Sequence, residues 1–342
     1  MSKVYIILVN YNGWEDTIEC LESLFKLEYD DFEIVLVDNA SPNNSVSKII
    51  SWSKGEIFVS PKSDKLANLS QPSKLKPLVI NRIKSTEEGT PLQTSFDFTL
   101  LEASENKGFS SGNNIGIKYA LAKKDADFFW ILNNDTVVLP KSLSLLVKRY
   151  QKDRNIGILG AKVKYYFEPE MLQCAGGATY NKWLAYSKQV GNQELDKGQY
   201  DRSDIELDLI IGACMLVDIN FITKVGLLSE EYFLYYEEQD WAERSKQNGL
   251  ALGYEPNAVI YHKEGQSIGA SQLDLRCISK LSDFYYARNK IILTKKYFSF
   301  LCQITVYLSF LLIAINRIRR GQSDRIAMLL GILKNPNKGF EN

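Results

Sequence analysis

A buried strand that ends abruptly in polar side chains is the sharpest chemical feature of this sequence. The apolar residues 128–132 run directly into Asn133, Asn134 and Asp135. Mg²⁺ and Mn²⁺ prefer oxygen ligands and commonly take only one or two protein carboxylates, with diphosphate and water completing the shell. We therefore expect Asp135 to bind Mg²⁺ or Mn²⁺, with Asn133 or Asn134 supporting it. The alternative is a simple turn, which these residues also favour.

A second cluster combines carboxylates with aromatic rings. Glu237, Glu238 and Asp240 fall within four residues, and Tyr236 and Trp241 flank them. Like charges crowded into one site raise a carboxyl pKa, so one of the three is a candidate base for an attacking hydroxyl. The aromatic rings suit the apolar face of a sugar or of a lipid-linked acceptor. The alternative is a solvated helix start, where acidic residues interact favourably with the helix dipole.

Further polar residues are candidates for contacts with a nucleotide. Asp38 ends a second apolar run and can accept hydrogen bonds from a nucleobase or ribose, or hold an Asx turn. In residues 105–114, glycines allow close backbone approach, and amides and Lys107 can face a nucleotide. The candidate binding residues are Asn10, Asn12, Asp38, Asn39, Asn106, Lys107, Gly108, Gly112, Asn113 and Asn134.

His262, the only histidine, is a candidate metal or phosphate ligand, although a lone histidine is more often structural. The sequence lacks the motifs of two common kinds of nucleotide-binding site. No Gly-Lys-Ser/Thr end follows the glycines of residues 105–114, so this segment is not a Walker loop. No Gly-x-Gly-x-x-Gly follows the first apolar run, which argues against a dinucleotide oxidoreductase.

The elements that must position these residues alternate between strand and helix patterns. Residues 4–9 and 32–37 are continuous apolar runs typical of buried strands, and residues 14–27 between them have helical spacing. Such a unit implies parallel strands, whose ligands bind beyond their carboxyl ends. Further elements are predicted at residues 96–101 (strand), 115–122 (helix) and 128–132 (strand). We therefore expect an α/β fold.

Composition narrows the class of protein. The 342 residues are 45% hydrophobic, enough for a sizeable core, and 41 Lys and Arg balance 41 Asp and Glu. A neutral chain offers no general attraction to nucleic acid, and we expect no nucleic-acid partner. The cysteines form no CxxC pair, which predicts free, mostly buried thiols in a reducing compartment. They are Cys20, Cys174, Cys214, Cys277 and Cys302.

Two segments differ from the rest of the chain. Residues 60–95 are rich in Pro, Ser, Lys and Asn, which predicts a loop-rich insertion. Residues 297–315 are apolar with basic residues at both ends, which predicts a membrane-associating segment at 291–342 after a main domain at 1–290. We favour an in-plane or re-entrant helix there over a true span; the alternative is a buried core helix.

Together these landmarks resemble the family-two inverting glycosyltransferases, especially the rhamnosyltransferase-like branch. The landmarks occur in one order over about residues 3–290. They are residues 7–12, 37–41, 106–114, 132–135, 212–215, the acidic cluster, His262 and residues 285–289. The resemblance implies a GT-A fold: a Rossmann-like, mainly parallel sheet flanked by helices, with a nucleotide sugar at the strand ends.

The resemblance also implies roles for individual residues. Asp38 would contact the base or ribose, Asp135 would be the metal carboxylate, and His262 would be a second metal ligand. Glu238 falls at the expected base position, where relatives usually have Asp after Glu, so the base remains open between Glu238, Asp240 and Glu237. On the acceptor side we place Gly212, Ala213, Tyr236 and Trp241. The connection between residues 41 and 106 is longer than the family leads us to expect.

The sequence thus predicts an inverting, metal-dependent glycosyltransferase at the cytoplasmic face of the cell membrane. Its donor would be a dTDP- or UDP-linked sugar, with rhamnose a candidate. Its acceptor would be a saccharide on polyprenyl diphosphate, used in cell-surface polysaccharide assembly. Two other classes remain open: a catalytically inactive nucleotide-sugar-binding assembly protein, and a sugar nucleotidyltransferase, which would release pyrophosphate.

Overall fold

The computed structural model describes residues 2–84, 96–264 and 279–340. The strands are β1 (Val4–Asn10), β2 (Phe32–Asp38), β3 (Ile80–Lys84), β4 (Phe98–Glu102), β5 (Phe128–Asn133), β6 (Thr136–Val138), β7 (Ile156–Tyr165), β8 (Leu172–Ala175), β9 (Gly177–Asn181), β10 (Tyr186–Gln189), β11 (Leu209–Ile210), β12 (Cys214–Asp218) and β13 (Ala251–His262). The helices are α1 (Trp14–Leu24), α2 (Ser45–Lys54), α3 (Ala67–Ser70), α4 (Phe109–Lys123), α5 (Ser142–Lys152), α6 (Ile219–Val225), α7 (Glu237–Gln247), α8 (Lys280–Tyr297), α9 (Phe300–Arg319) and α10 (Ile326–Lys334).

One large mixed sheet forms the centre of the molecule. Its strand order is β3-β4-β2-β1-β5-β12-β7-β13-β6, with β8 paired to β7. The strands from β3 to β5 are all parallel, whereas β12 is antiparallel to both of its neighbours. This half-sheet confirms the predicted mainly parallel α/β fold. A smaller sheet of order β10-β9-β11 lies beside it.

Two apolar cores cover the two faces of the sheet, because successive side chains of a strand point to opposite faces. Along β1, Val4, Ile6 and Leu8 belong to the core that also holds residues of α1, α2 and α5. Tyr5 and Ile7 belong to the core that holds residues of α4 and α6. The continuous apolar run of β1 therefore reflects burial on both faces, as in parallel sheets generally.

The predicted insertion is more regular than its composition indicated. Within residues 60–84 it forms a short 3-10 helix at Asp64–Leu66, then α3, then β3, which pairs in parallel with β4 at the edge of the sheet. Residues 85–95 lie outside the described part. The glycine-rich segment also differs from the prediction, since α4 begins at Phe109 and so includes most of it. Among the described cysteines, all are free and buried as predicted; Cys277 lies outside the described residues.

The C-terminal segment is a layer of helices. The predicted boundary at residue 290 falls inside α8, whose Ile292 and Leu293 pack with Tyr232 and Tyr236 of the main domain. Within the described residues, α9 is the one helix long and apolar enough to cross a membrane, judged by length and composition. One side of α9 packs in a core with α8 and α10, and its other side is exposed. The alternative of a buried core helix therefore does not hold.

Candidate active site

The carboxyl ends of β1, β2 and β5 bring the first candidate residues together at one edge of the sheet. Asn10 lies opposite Asp38 in the β1–β2 pair, and Val9 lies opposite Asn133 in the β1–β5 pair. Asn10 Nδ2 donates a hydrogen bond to Asp38 Oδ2 at 2.6 Å, and both side chains are buried. The strand ends therefore meet as the parallel pattern predicts.

Asp38 also shapes the turn that follows β2. Its Oδ1 accepts from the Ser41 backbone N–H at 2.9 Å, and its Oδ2 accepts from Ser41 Oγ at 2.8 Å. Ser41 Oγ accepts in turn from the backbone N–H of Asn12 at 2.9 Å. The Asx turn is thus present, and it fixes the exposed loop that carries Asn12.

Asn134 joins the same polar cluster through a threonine of α1. Asn134 Nδ2 donates to Thr17 Oγ1 at 2.8 Å, and Thr17 Oγ1 donates to Asn10 Oδ1 at 3.0 Å. Sequence reasoning missed Thr17, because a threonine within a helical pattern carries no indication of this role. The chain of bonds holds the ends of β1 and β5 at a fixed separation.

A tight turn before α4 links the end of β2 to the loop before α7. Asn39 Nδ2 donates to Asn106 Oδ1 at 2.9 Å and to the Gly108 carbonyl at 3.1 Å. Gly108 has a φ of 91°, and a Cβ there would collide with the Phe233 carbonyl. Phe109 N–H donates to that same carbonyl at 3.0 Å. Position 108 therefore requires glycine, both for its dihedral angle and for the close approach.

Two further candidates of this segment have different surroundings. A Cβ on Gly112 would lie 2.8 Å from Val9 Cγ1, so this glycine lets α4 pack directly on β1. Lys107 is exposed and pairs with Glu105 at 2.7 Å. Gly112 thus has a packing role, whereas Lys107 is available at the surface.

Buried amide oxygens in this region lack partners. Asn113 is buried and its Nδ2 donates to the Phe109 carbonyl at 3.0 Å. Within the described residues, the Oδ1 atoms of Asn39 and Asn113 are buried without a hydrogen-bond partner. Such an oxygen is costly to bury unpaired, so each is a candidate acceptor for an N–H or O–H group of a ligand.

β13 ends beside the loop after β5 and brings His262 to Asp135. His262 Nε2 lies 3.0 Å from Asp135 Oδ1 and 3.2 Å from Asn133 Nδ2. His262 Nδ1 lies 2.8 Å from Gln173 Oε1. Asp135 and His262 are both buried. Sequence reasoning missed Gln173, because only the pairing of β8 with β7 brings it to the histidine.

The electrostatics of this pair keep the Asp135 carboxylate ionised. Burial raises the pKa of Asp135, but His262 and Lys263 outweigh burial and hold that pKa below its ordinary value. Burial lowers the pKa of His262, but the ion pair with Asp135 outweighs it and raises that pKa. Among the described residues, no cluster of three or more His, Cys, Asp or Glu could hold a metal. A cation bound by the Asp135 carboxylate and the deprotonated imidazole of His262 would keep open positions for phosphate oxygens and water.

Lys263 follows His262 and anchors this end of β13 to α1. Its fully buried Nζ lies 2.7 Å from Asp16 Oδ1 and 2.6 Å from Glu19 Oε2. Glu19 Oε1 also accepts from Tyr166 OH at 2.5 Å and from Ser70 Oγ at 2.9 Å. Ser70 belongs to the predicted insertion, which therefore docks beside the Asp135–His262 pair. Sequence reasoning missed Lys263, since 247 positions separate it from Asp16.

Replacing Lys263 with Met is expected to lower the free energy of unfolding by about 3–5 kcal/mol, because the buried Glu19 would lose its cation and Asp16 would keep only Lys62. Chemical denaturation measures the change. The exposed Lys65 provides the matched control, and Lys65→Met should change stability by less than about 0.5 kcal/mol. Equal stabilities of the two variants would contradict a buried ionic anchor.

The loop before α7 has a strained backbone that is held from α8. Tyr235 and Tyr236 have φ values of 68° and 74°, in the left-handed region that such residues rarely adopt. Asn289 Nδ2 donates to the Tyr235 carbonyl at 2.9 Å, and Arg288 Nη1 donates to the Glu231 carbonyl at 3.1 Å. The landmark at residues 285–289 therefore fixes the entry to the acidic cluster.

Glu237 and Glu238 lie in the first turn of α7. Burial, and then the neighbouring Glu238 carboxylate, raises the pKa of Glu237 well above its ordinary value. Burial raises the pKa of Glu238 as well. Each has a buried Oε2 atom with no hydrogen-bond partner among the described residues. Carboxyl groups with raised pKa values and free oxygens are suited to proton transfer near neutral pH.

Asp240 has a different environment from the two glutamates. It is fully buried, and its Oδ2 accepts from Arg244 Nε at 2.8 Å. Its Oδ1 accepts from Lys296 Nζ at 2.6 Å and from Tyr297 OH at 2.7 Å. Three donors occupy its two oxygens, so Asp240 fastens α7 to the end of α8.

Trp241 does not reach an acceptor surface, which corrects the sequence prediction. It is fully buried, and its Nε1 donates to the Gly226 carbonyl at 3.0 Å. Its ring packs edge-on against Phe221 with 5.0 Å between centroids. The helical turn of α7 directs this side chain into the core that includes α6.

The other acceptor-side candidates lie at two places, beside the end of β5 and against the β9–β10 turn. The Ala213 carbonyl accepts from the Asn133 backbone N–H at 3.1 Å, so residues 212–213 adjoin the end of β5. A Cβ on Gly212 would lie 3.7 Å from the Phe109 ring. Tyr236 is buried, and its hydroxyl donates to the Ala185 carbonyl at 2.6 Å.

The sequence of this chain matches a known protein family over much of its N-terminal half. Residues 5–70 and 85–183 match the family model described as glycosyl transferase family 2. The low-salt glycan biosynthesis hexosyltransferase Agl10 of Haloferax volcanii is 25% identical over 157 residues, which cover 46% of this chain and 49% of the relative. The dTDP-rhamnosyl transferase RfbF of Shigella flexneri is 21% identical over 196 residues, which cover 56% of this chain and 61% of the relative. The chain therefore spans less than two thirds of either curated relative.

Solved structures show the same fold. GalNAc-T7 with UDP, GalNAc and Mn²⁺ has a TM-score of 0.54 at 16% identity, covering 85% of this chain and 51% of that one. S. aureus TarS 1-349 in complex with UDP-GlcNAc has a TM-score of 0.53 at 11% identity, covering 98% and 80%. The Pyrobaculum calidifontis mannosyltransferase PcManGT, in complex with GDP-Man and Mn²⁺, has a TM-score of 0.50 at 12% identity, covering 98% and 86%. These likenesses establish the GT-A architecture.

Proposed function

Because the chain belongs to glycosyl transferase family 2, we propose that it transfers a sugar from a nucleotide-diphosphate donor to a hydroxyl of a saccharide, with inversion at the anomeric carbon. One observation carries the proposal: the carboxyl ends of the parallel strands bring Asp38, Asn134 and Asp135 to one edge of the sheet, with His262 3.0 Å from Asp135. In addition, Asp135 has a lowered pKa, whereas Glu237 and Glu238 have raised ones. Titratable groups whose surroundings push their pKa values apart are suited to different roles in one reaction.

Asp135 and His262 are the residues that we propose hold a divalent cation. The fit rests on an ionised carboxylate and an imidazole 3.0 Å apart at the carboxyl edge of the sheet. GalNAc-T7 and PcManGT, which share the fold, bind Mn²⁺. Mg²⁺ and Mn²⁺ both remain candidates here. When bound, the cation would offset negative charge on the departing nucleotide diphosphate.

Glu238 is the proposed base, with Glu237 as its partner. The acceptor hydroxyl would give its proton to the carboxylate as its oxygen attacks the anomeric carbon from the face opposite the nucleotide. A single displacement then inverts that carbon without a covalent enzyme intermediate. Asp240 is left out of this role, because three donors already occupy its oxygens.

The polar cluster at the strand ends would bind the nucleotide part of the donor. Asp38 and Asn12 border the loop after β2, and the unpaired Oδ1 atoms of Asn39 and Asn113 can accept hydrogen bonds from a base or ribose. The relatives are a hexosyltransferase and a dTDP-rhamnosyl transferase. We therefore favour a hexose or 6-deoxyhexose, rhamnose included, on dTDP or UDP.

The proposed acceptor is a saccharide on polyprenyl diphosphate at the cytoplasmic face of the membrane, used in cell-surface polysaccharide assembly. The exposed apolar side of α9 supports it, because a lipid-linked acceptor brings the reaction to a bilayer.

Thermal unfolding with nucleotides tests the donor site. UDP, dTDP and GDP are each added with and without Mn²⁺, and a ligand of the folded state raises the melting temperature. We expect a Mn²⁺-dependent rise with UDP or dTDP at 100 times their Kd, worth about 2.7 kcal/mol. No rise with any nucleotide, from folded protein, would contradict the proposed donor site. A rise without turnover on any acceptor would favour the inactive assembly protein.

A further inference from the structure

A stripe of large apolar side chains runs along the whole exposed side of α9. These residues are 40% to 72% exposed. They are Phe300, Leu301, Ile304, Leu308, Leu311, Leu312, Ile315 and Ile318. Their spacing of three, four and seven puts them on one helical face. The opposite face is buried through Cys302, Val306 and Phe310, so α9 is fixed to the protein on one side and open on the other.

The turn between β9 and β10 extends this stripe with residues from a distant part of the chain. Trp183, Leu184 and Tyr186 are 46%, 40% and 40% exposed. Thr305 Oγ1 of α9 donates to the Trp183 carbonyl at 2.6 Å, which fixes the turn against the helix. Thr305 lies three and four positions from Leu308 and Leu301, so the turn adjoins the edge of the stripe. We call residues 182–186 together with the stripe the apolar platform.

The charged side chains along α9 and at its ends are all basic. From residue 295 to residue 322 the chain has five Lys and Arg and no Asp or Glu. Lys182 lies over the Trp183 ring at 5.9 Å. Asp283, an acid of the neighbouring α8, is already bound by Arg317 and Arg325 at 2.5 and 3.0 Å. Lys296 and Arg317 are paired with the buried Asp240 and Asp283. The exposed Lys182, Lys295 and Arg319 therefore carry the basic charge at the rim of the platform.

We propose that the apolar platform binds the interface of an anionic lipid bilayer, with α9 lying in the membrane plane and the β9–β10 turn as a second point of insertion. Exposed apolar side chains with Trp, Tyr and basic residues beside them match the chemistry of the headgroup boundary. A second copy of this chain fits less well, since a two-fold contact would bring the two basic rims together.

Binding through the apolar platform would also set how far from the membrane the sugar is transferred, a consequence that rests on the proposed function. Ala185 of the inserted turn accepts a hydrogen bond from Tyr236, and Tyr236 directly precedes Glu237. Glu238, the proposed base, follows Tyr236 by two residues, so the start of α7 is tied to the membrane-binding turn. We therefore expect the acceptor hydroxyl to react close to the lipid headgroups, which favours a saccharide with few sugars between the lipid and the reacting hydroxyl.

Vesicle binding of the full chain tests the platform directly. Sedimentation with phosphatidylcholine vesicles containing 0% or about 30% phosphatidylglycerol gives the partition coefficient. We expect the double change Trp183→Ala with Leu184→Ser to weaken binding to anionic vesicles at least about tenfold, as should Leu308→Ser with Leu312→Ser. The control is Phe167→Ser with Leu195→Ser, which removes apolar residues of similar exposure, 50% and 51%, outside the platform.

Brominated lipids report insertion of the turn itself. Three of the five Trp side chains are buried and Trp14 is partly buried, so Trp183 is the most exposed indole. Quenching of the wild-type protein that disappears in Trp183→Phe supports insertion. Unchanged quenching in Trp183→Phe would overturn the proposal, and so would an equal loss of vesicle binding in the control variant. The proposal would also fail if the platform variants converted a dimer to a monomer without affecting vesicle binding. None of these measurements uses donor or acceptor, so they stand apart from the nucleotide test of the transferase.

Discussion

Replacing Asp135 with Asn is expected to abolish sugar transfer, with a loss of about 10³-fold or more. The amide keeps the shape of the side chain but removes the negative charge of Asp135, whose pKa lies below its ordinary value. Without that carboxylate, His262 alone would remain to hold the cation beside the diphosphate. Initial rates give the loss in transfer, and the Mn²⁺-dependent part of the nucleotide-induced thermal shift should disappear with it.

A matched control separates this effect from general damage. The Asp153 carboxylate is 45% exposed and pairs with Arg149 at 3.6 Å. It follows α5 and precedes β7, so it lies at the edge of the sheet opposite the carboxyl ends of the strands. Asp153→Asn should retain full transfer and the full Mn²⁺-dependent shift. Full activity of Asp135→Asn, in protein with a normal melting temperature in the absence of nucleotide, would remove Asp135 from the proposed site.

Replacing Glu238 with Gln is expected to lower kcat by about 10²–10⁴-fold, because an amide cannot accept the proton of the attacking hydroxyl. Nucleotide binding with Mn²⁺ should be unchanged, since that site uses other residues. In the wild-type enzyme, activity should fall as the pH drops through the raised pKa of this pair, where the carboxylate becomes protonated. The pH profile of kcat/KM therefore has its acidic limb above the ordinary range of a glutamate.

The neighbouring acids provide the comparison within one helix turn. If Glu237→Gln loses kcat and Glu238→Gln does not, Glu237 is the base. If both variants retain kcat, neither glutamate is the base.

The raised pKa of Glu237 also predicts how this residue changes the stability of the protein with pH. Its folded-state pKa is raised, so its contribution is present at low pH and is lost as the pH rises through that pKa. The melting temperature of Glu237→Gln should therefore exceed that of wild type increasingly toward alkaline pH.

Local patterns determined which residues could be predicted at the strand ends. Continuous apolar runs end at Asn10, Asp38 and Asn133, and parallel strands place their carboxyl ends at one edge. Periodicity and a general rule of sheet topology were therefore enough to bring these residues together. The same patterns predicted the strand at residues 128–132 and the apolar character of α9, because both depend only on neighbours in the chain.

Partners that are distant in sequence were decided by tertiary structure alone. Gln173 reaches His262 through strand pairing. Lys263 reaches Asp16 because β13 ends beside β6, the strand on which α1 packs. Within α7, the sequence left the base open between Glu238, Asp240 and Glu237 and placed Trp241 on the acceptor side, yet Asp240 and Trp241 are fully buried. A helix turns about 100° per residue, so adjacent side chains meet different neighbours, and only the packing of α6 and α8 around α7 decides which carboxylate stays free.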